Sequence, residues 1–282
     1  MAFDVADYHI HTCFSCDSDA PMEAICQAAL ARGMTEIAIT DHADFEPLDV
    51  CCGYFRPEPY WEAIERCRAA FAGRLTIRAG VECGEPHVYR REVEAVLSAH
   101  EYDFVLGSLH WVDSRPTFDG AFFDGLSLDE GLALYFDELA RLAAEGEYDV
   151  LAHADIIRRA VYRRFRLGEF DLAPHEPRVR RVLRIVAERG KGLEVNTSYQ
   201  RKQMGRPGPS VQVLRWFRDE GGQTVTLGSD AHRPEHVGAD FDRALAMVRE
   251  AGFEHLAVFE ERAPHLCASP VGPLPSVGSP SR

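Results

Sequence analysis

A chain of 282 residues with 45 acidic and 31 basic side chains carries a net charge of −14. That length buries a sizeable core in one large domain or two small ones, and the charge argues against a general nucleic-acid or membrane-surface binder. No apolar run approaches the roughly 18–20 residues that span a bilayer. The opening MAFDVADYHIHT lacks the basic and apolar regions of an export signal, so a cytoplasmic protein is expected.

Strand-like segments are predicted at Val5–Ile10, Glu36–Thr40, Leu75–Val81, Phe104–Ser108, Val150–Ala152, Gly192–Asn196 and Thr224–Gly228. Helix-period stretches alternate with them at Met22–Arg32, Pro59–Ala72, Val88–His100, Leu128–Ala144, His175–Glu188 and Ser210–Glu220. A last helix, Arg243–Ala251, precedes a short run at His255–Phe259. Seven strand–helix units predict an α/β protein with a parallel sheet, either closed into a barrel or open and doubly wound. No GxGxxG or GxxxxGK[ST] follows the first strand, which removes the usual nucleotide-binding reason for an open sheet. Residues 263–282 are rich in Pro and Ser with little apolar content and are expected to form a disordered tail.

Seven of the eight cysteines lie in the first 83 residues. Without an export signal they are expected to be reduced thiols. Cys13 and Cys16 have CxxC spacing, but a second pair at similar spacing, as a zinc knuckle needs, is absent from the sequence.

The histidines and carboxylates cluster at predicted strand ends. His9 and His11 close the first strand, where alternation puts positions i and i+2 on one face, and Asp17 follows in a loop. Asp41-His42 ends the second strand, Glu82 the third, His110 the fourth and His153 the fifth. The seventh ends in Asp230 and His232, another i, i+2 pair; only the sixth delivers no ligand. Chemistry in parallel α/β barrels sits at these C-terminal strand ends. Nine N/O ligands exceed what one ion uses and suit a cluster of two or three, one carboxylate bridging. Such clusters produce hydroxide at neutral pH and clamp the oxygens of an in-line phosphoryl displacement.

HIHT, TDH, GVE, GSLH, LAH and GSDAH, in this order, resemble the motifs of the polymerase-and-histidinol-phosphatase (PHP) superfamily. The longer pattern DYHIHT…DHADF…GVECG…LGSLHWVD…HADIIRR…LEVNTS…TLGSDAHRPEHVG is most similar to its monofunctional histidinol-phosphate phosphatases, over about residues 7–262. The resemblance implies a distorted (β/α)7 barrel, with residues 1–262 as the metallophosphatase domain. It implies three divalent ions (Mn, Zn or Fe): the first on His9, His11, Glu82 and Asp230, the second on Glu82, His110 and His153, the third on Asp17, His42 and His232. A hydroxide bridging two ions would attack a phosphomonoester, L-histidinol phosphate in histidine biosynthesis, making Glu82 and Asp230 catalytic as well as ligating. Asp41, Asp155 and His236 are candidate proton donors to the leaving oxygen.

Residues 156–206 hold 14 Arg/Lys against 5 Asp/Glu, a net of +9 that leaves −23 elsewhere. The family places phosphate-binding arginines in two segments of this island, after the fifth and sixth strands. Arg158 and Arg201 are the expected pair, with Arg159 and Lys202 beside them; a guanidinium fork matches phosphate geometry. Arg178, Arg180, Arg181 and Arg184 read as a solvated helix face. Tyr199 stands where many relatives carry a small residue. Phe14, Phe45, Trp111 and Tyr162 flank the motifs and could line an imidazole pocket, with Asp44 or Glu46 near the amine.

Alternatives are a PHP-type phosphoesterase for another small phosphate such as a nucleotide, a metal-dependent amidohydrolase, and a non-catalytic metal-binding module. An amidohydrolase would commonly bridge its metals with a carboxylated lysine, yet Lys191 and Lys202 are poorly placed for that. No nucleic-acid or membrane partner is expected.

Overall fold

The computed structural model describes residues 5–168, 170–201 and 205–268. Its centre is a curled parallel sheet. The strands are β1 (Glu36–Ile39), β2 (His42–Ala43), β3 (Thr76–Gly84), β4 (Phe104–Ser108), β7 (Val150–Leu151), β8 (Gly192–Asn196) and β9 (Val225–Gly228). They pair in the order β1-β3-β4-β7-β8-β9, with β2 continuing beside β3. β4, β7, β8 and β9 are buried throughout, as near-continuous apolar runs should be in a sheet covered on both faces.

Residues 7–10 close the distorted barrel. Asp7 bridges Ile37 of β1 and Ile10 bridges Ala231 just past β9, while Tyr8 N–H donates to the Leu227 carbonyl at 2.9 Å. The sequence predicts a continuous strand over Val5–Ile10, but the ladder is broken into isolated bridges. The His9 carbonyl accepts from Asp230 N–H and Ile10 N–H turns to Thr40 Oγ1, so the segment bends where its histidines must point inward.

Helices α1 (Met22–Ala31), α2 (Pro57–Ala70), α3 (Arg90–Leu97), α4 (Leu128–Glu145), α5 (Ile157–Phe165), α6 (Glu176–Glu188), α7 (Ser198–Arg201), α8 (Val211–Asp219) and α9 (Phe241–Glu250) flank the sheet. A capping box, with Ser127 and Glu130 exchanging hydrogen bonds, starts α4. On α6 the predicted stripe Val179, Val182, Leu183 and Val186 is buried. Its arginines face outward: Arg178 and Arg181 reach Asp137, and Arg180 and Arg184 reach Glu220. Arg158 and Arg159 belong to α5 rather than to a loop, because Ile157, Ala160 and Val161 supply an i, i+3, i+4 stripe that the core buries.

Two short strands, β5 (Trp111–Val112) and β6 (Arg115–Pro116), form a hairpin beyond β4. A second hairpin, β10 (His255–Glu260) with β11 (Ala263–Ala268), covers the opposite, N-terminal end of the strands. There Phe259 packs on Phe104 at 4.8 Å and Arg262 pairs with Asp149 at 2.9 Å. The segment read as a tail therefore starts with a paired strand, and residues 269–282 lie outside the described residues.

The cysteine expectation is corrected: Cys16 and Cys51 form a disulfide with their Cα atoms 5.3 Å apart, within the normal span of such a bond. They are 35 residues apart in sequence, and the parallel pairing of residues 7–10 with β1 brings the loops after the first segment and after β2 together. Cys13, Cys26, Cys52, Cys67 and Cys83 are free thiols.

Candidate metal centre

Sheet register sets the height of the site. His42 lies opposite Glu82 across β2 and β3, and Glu82 lies opposite Leu106, two residues before Ser108 ends β4. Glu82 is fully buried and forms the hub. Its Oε2 lies 3.1 Å from His9 Nε2, 3.4 Å from His11 Nε2 and 3.1 Å from His42 Nδ1. Its Oε1 lies 2.8 Å from His153 Nε2 and 3.4 Å from His110 Nε2. One carboxylate thus faces five imidazoles, three on one oxygen and two on the other.

The other candidate ligands border this hub. Asp230 Oδ1 is 3.6 Å from His11 Nε2 and 3.4 Å from His232 Nδ1. Asp17 Oδ2 is 2.9 Å from His232 Nε2 and 3.8 Å from His42 Nε2. All nine residues singled out in the sequence therefore converge. Their donor atoms form overlapping triads, including His9-Glu82-His153, His9-His11-Asp230, His42-Glu82-His110 and His11-His42-His232, with atoms within 4.8 Å of one another.

The electrostatics fit a cation. Burial alone would lift the Glu82 carboxyl, but the surrounding imidazoles, led by His9 and His42, hold it well below its ordinary value. Burial would likewise lower His9 and His110; carboxylates outweigh it, Glu194 and Glu82 for His9 and Asp44 and Glu82 for His110, and hold both well above the usual imidazole range. His42 follows the same logic, pushed up to about 10 by Glu82 and Asp44 against the effect of burial. Burial and the neighbouring imidazoles His232 and His42 drive His11 the other way, well below. His11 Nε2 is buried without a hydrogen-bond partner, an arrangement that is unfavourable unless a cation takes its lone pair. Divalent ions would displace the protons that the carboxylates now hold on the rings. Metal loading is therefore expected to release protons, measurable by calorimetry in buffers of differing ionisation enthalpy.

Buried carboxylates behind the ligands fix their orientation. Glu194 on β8, the strand without a ligand, pairs with His9 Nδ1 at 2.6 Å and accepts from His153 N–H at 2.6 Å. Asp44 holds His110 Nδ1 at 3.0 Å and lies 3.1 Å from His42 Nδ1, so it orients imidazoles at the edge of a cleft that it also lines. Asp41 accepts from Thr12 N–H, Thr12 Oγ1 and Ser15 Oγ, and that Ser15 hydroxyl is 3.1 Å from His11 Nδ1. Asp7 accepts from the backbone of Ser229 and Gly238. The sequence reading missed Glu194 and Asp7. The available signal was a carboxylate amid apolar residues in the L-E-V strand, and an aspartate two residues before His9.

His153 and Asp230 have positive φ, 23° and 51°. Non-glycine residues in this region cost of order 1–3 kcal/mol, and such strain collects at functional sites. Glu194 holds the first turn and the His9 carbonyl the second, at 2.8 Å from Asp230 N–H.

Room for Glu194 comes from Gly228, where a Cβ would lie 2.0 Å from Glu194 Oε1 and 2.6 Å from His9 Cβ. Gly228→Ala is expected to push these groups apart, destabilising the fold by about 1–3 kcal/mol through overpacking. Glu194→Ala should instead weaken metal binding by roughly 10–100-fold with a smaller change in folding. Thermal unfolding and metal titration of the two variants separate these effects.

A cleft of about 290 Å³ opens over the cluster, walled by Val50, Phe118, Ile156, Arg159 and Arg163. Arg159 Nη2 donates to Asp230 Oδ2 at 2.9 Å and Ser198 Oγ at 2.8 Å. Arg158 is buried, 3.4 Å from Asp155 and 5.1 Å from the Tyr199 ring centre. Arg201 donates to the Ser229 and Asp230 carbonyls. Lys202 lies outside the described residues. None of Asp41, Asp155 and His236 lines the cleft. Of the aromatic candidates, Phe14 packs on Tyr60 and Phe45 on Tyr89, while Trp111 Nε1 donates to Asp49; Phe118 is the aromatic residue on the cleft wall.

Residues 7–198 match the PHP domain family. A histidinol-phosphatase of Lactococcus lactis subsp. lactis is 28% identical over 90% of this chain and 93% of its own. A probable histidinol-phosphatase of Deinococcus radiodurans is 29% identical over 88% and 94%. The crystal structure of histidinol phosphate phosphatase from Lactococcus lactis subsp. lactis, complexed with zinc, L-histidinol and phosphate, superposes with a TM-score of 0.82. It is 25% identical, covering 93% of this chain and 99% of that one. With the family match spanning most of the barrel and every strand-end motif from His9 to His153, the chain is a member of the PHP domain family.

Proposed function

We propose that residues 1–262 form one metal-dependent phosphomonoesterase that hydrolyses L-histidinol phosphate to L-histidinol and phosphate, as a step of histidine biosynthesis. The observation that carries this reading is the Glu82 hub, one buried carboxylate among five imidazoles, beside a cleft with guanidinium groups at its wall. The Lactococcus structure, with zinc, L-histidinol and phosphate bound to the same overall fold, supports the substrate.

His9, His11, Glu82 and Asp230 would hold one divalent ion, Glu82, His110 and His153 a second, and Asp17, His42 and His232 a third, as manganese, zinc or iron. Bound there, the ions would supply an activated water at neutral pH and neutralise charge on the phosphoryl oxygens. Arg159 would grip a phosphate oxygen from the cleft wall. Glu194 and Asp44 keep the imidazoles aimed at the hub. Phe118, Ile156 and Val50 would give the leaving group an apolar surface.

The test is a substrate panel with manganese-loaded protein: L-histidinol phosphate, nucleoside monophosphates and an aryl phosphate. The kcat/KM for L-histidinol phosphate should exceed the others by about 100-fold or more. A value no better than that of the aryl phosphate overturns the substrate assignment, and fewer than three ions per reconstituted chain overturns the trinuclear reading.

A further inference from the structure

The outermost of the three proposed metal positions differs from the others in how its carboxylate is supported. Glu82 belongs to β3 and Asp230 directly follows β9, whereas Asp17 sits in the loop between residues 12 and 20. Its side chain is 46% exposed, against 0% for Glu82 and 6% for Asp230. Its carboxylate touches His232 and, more distantly, His42. The neighbouring residue, Cys16, is covalently joined to Cys51.

Cys51 lies on the adjacent loop that follows β2. That loop is fixed to the barrel: Gly53 N–H donates to the Asp44 carbonyl at 2.8 Å, and Asp49 accepts from Trp111 Nε1 at 2.6 Å and from Cys51 N–H at 2.7 Å. The disulfide therefore ties the loop carrying Asp17 to a rim that the imidazole-orienting Asp44 and the β5–β6 hairpin hold in place. Cys16 is partly exposed, so a reductant can reach its sulfur, while Cys51 is buried.

We propose that Cys16–Cys51 is a thiol–disulfide exchange site that sets how firmly Asp17, and with it the outermost metal, is held. The exchange partner is a dithiol, small or protein-borne. Its first thiolate attacks the Cys16 sulfur; the Cys16–Cys51 bond breaks and Cys51 leaves as a thiolate that takes up a proton. The second thiol then displaces Cys16 from the mixed disulfide. The two protein sulfurs gain two electrons and two protons, and the partner is oxidised to its disulfide. A low-molecular-weight disulfide runs the same steps in reverse. Reduction frees the loop, adding conformations in which Asp17 is away from His42 and His232, and so lowers affinity at that position as loss of an outer support does.

This inference rests on the trinuclear reading above, and its test reads sulfur and metal atoms besides turnover. Full-length protein purified without reductant is loaded with manganese and divided, one half being reduced with a phosphine that is then removed anaerobically. Alkylation under denaturing conditions with peptide mass mapping should find Cys16 and Cys51 protected in the oxidised half and modified in the reduced half. After desalting, the oxidised form should keep three ions per chain and the reduced form about one fewer, the weakest affinity falling by about 10-fold. C16S/C51S should match the reduced form under both conditions. C52S, at an exposed thiol outside the site, should respond like the unsubstituted chain. Full alkylation of Cys16 and Cys51 in the oxidised protein overturns the proposal, as does equal metal retention in oxidised, reduced and C16S/C51S protein. If even the oxidised form binds fewer than three ions, the trinuclear reading fails and this inference with it. If three bind in every state, only this inference fails.

Discussion

Glu82→Gln is expected to abolish loading of the central metal positions and to lower kcat/KM by well over 100-fold, beyond the roughly 10–100-fold that losing an outer partner costs. The substitution keeps the volume and removes the charge that five imidazole nitrogens share within 3.4 Å. An amide oxygen can still accept a hydrogen bond, but it cannot bridge two cations as a carboxylate does. Stability offers an independent readout. Each ion that binds only the folded chain stabilises it by about 2.7 kcal/mol when present at 100 times its Kd. For a chain of this size each such ion corresponds to a Tm shift of roughly 5 °C. Chelation should lower the Tm of the unsubstituted protein by the contribution of all three ions, and that of Glu82→Gln by no more than the one ion held without Glu82. A variant that keeps its full metal content, or whose Tm falls as far on chelation as that of the unsubstituted protein, would remove Glu82 from the centre of the site.

The candidate ligands were legible in the sequence because a parallel barrel converts strand ends into one rim. His9 and His11, Glu82, His110, His153, Asp230 and His232 each close a predicted strand or follow it within a few residues, so a correct strand assignment already places them together. Features that depend on the phase of an element or on contacts between distant loops were not legible. Arg158 and Arg159 are adjacent, and their order gives no indication of which one faces the cleft. That is decided by where α5 begins, since each helical residue turns the side chain by about 100°. Here Ile157, Ala160 and Val161 claim the core, carrying Arg158 inward with them and leaving Arg159 at the mouth. The contacts of Asp44 with His42 and His110 need β2 and β4 in register, which sequence order does not give. The Cys16–Cys51 bond depends on residues 7–10 lying beside β1, and no cysteine spacing encodes that pairing.

The same phase argument yields three separable outcomes for the arginines. Arg159→Ala is expected to lower kcat/KM by about 10²–10³-fold, the loss typical of one charge-stabilising donor. It should also raise the inhibition constant of inorganic phosphate while leaving the metal content intact. Arg159→Lys should recover little, because Nη2 alone serves Ser198 and Asp230, and a single ammonium lacks the second terminal nitrogen that would reach phosphate at the same time. Arg201 holds the Ser229 and Asp230 carbonyls of a turn in which Asp230 is kept at φ 51°. Its removal should relax that turn, so Arg201→Ala is expected to lose metal first and activity as a consequence, with excess metal restoring part of the rate. Arg158 lies buried against Tyr199 and Asp155, so Arg158→Ala should appear mainly as a lower Tm. Metal content, the phosphate inhibition constant and Tm, measured on the same three variants, assign each guanidinium. If Arg158→Ala weakened phosphate inhibition with fold and metals intact while Arg159→Ala did not, the phosphate contact would belong to Arg158, and α5 would have to turn by one residue when substrate binds.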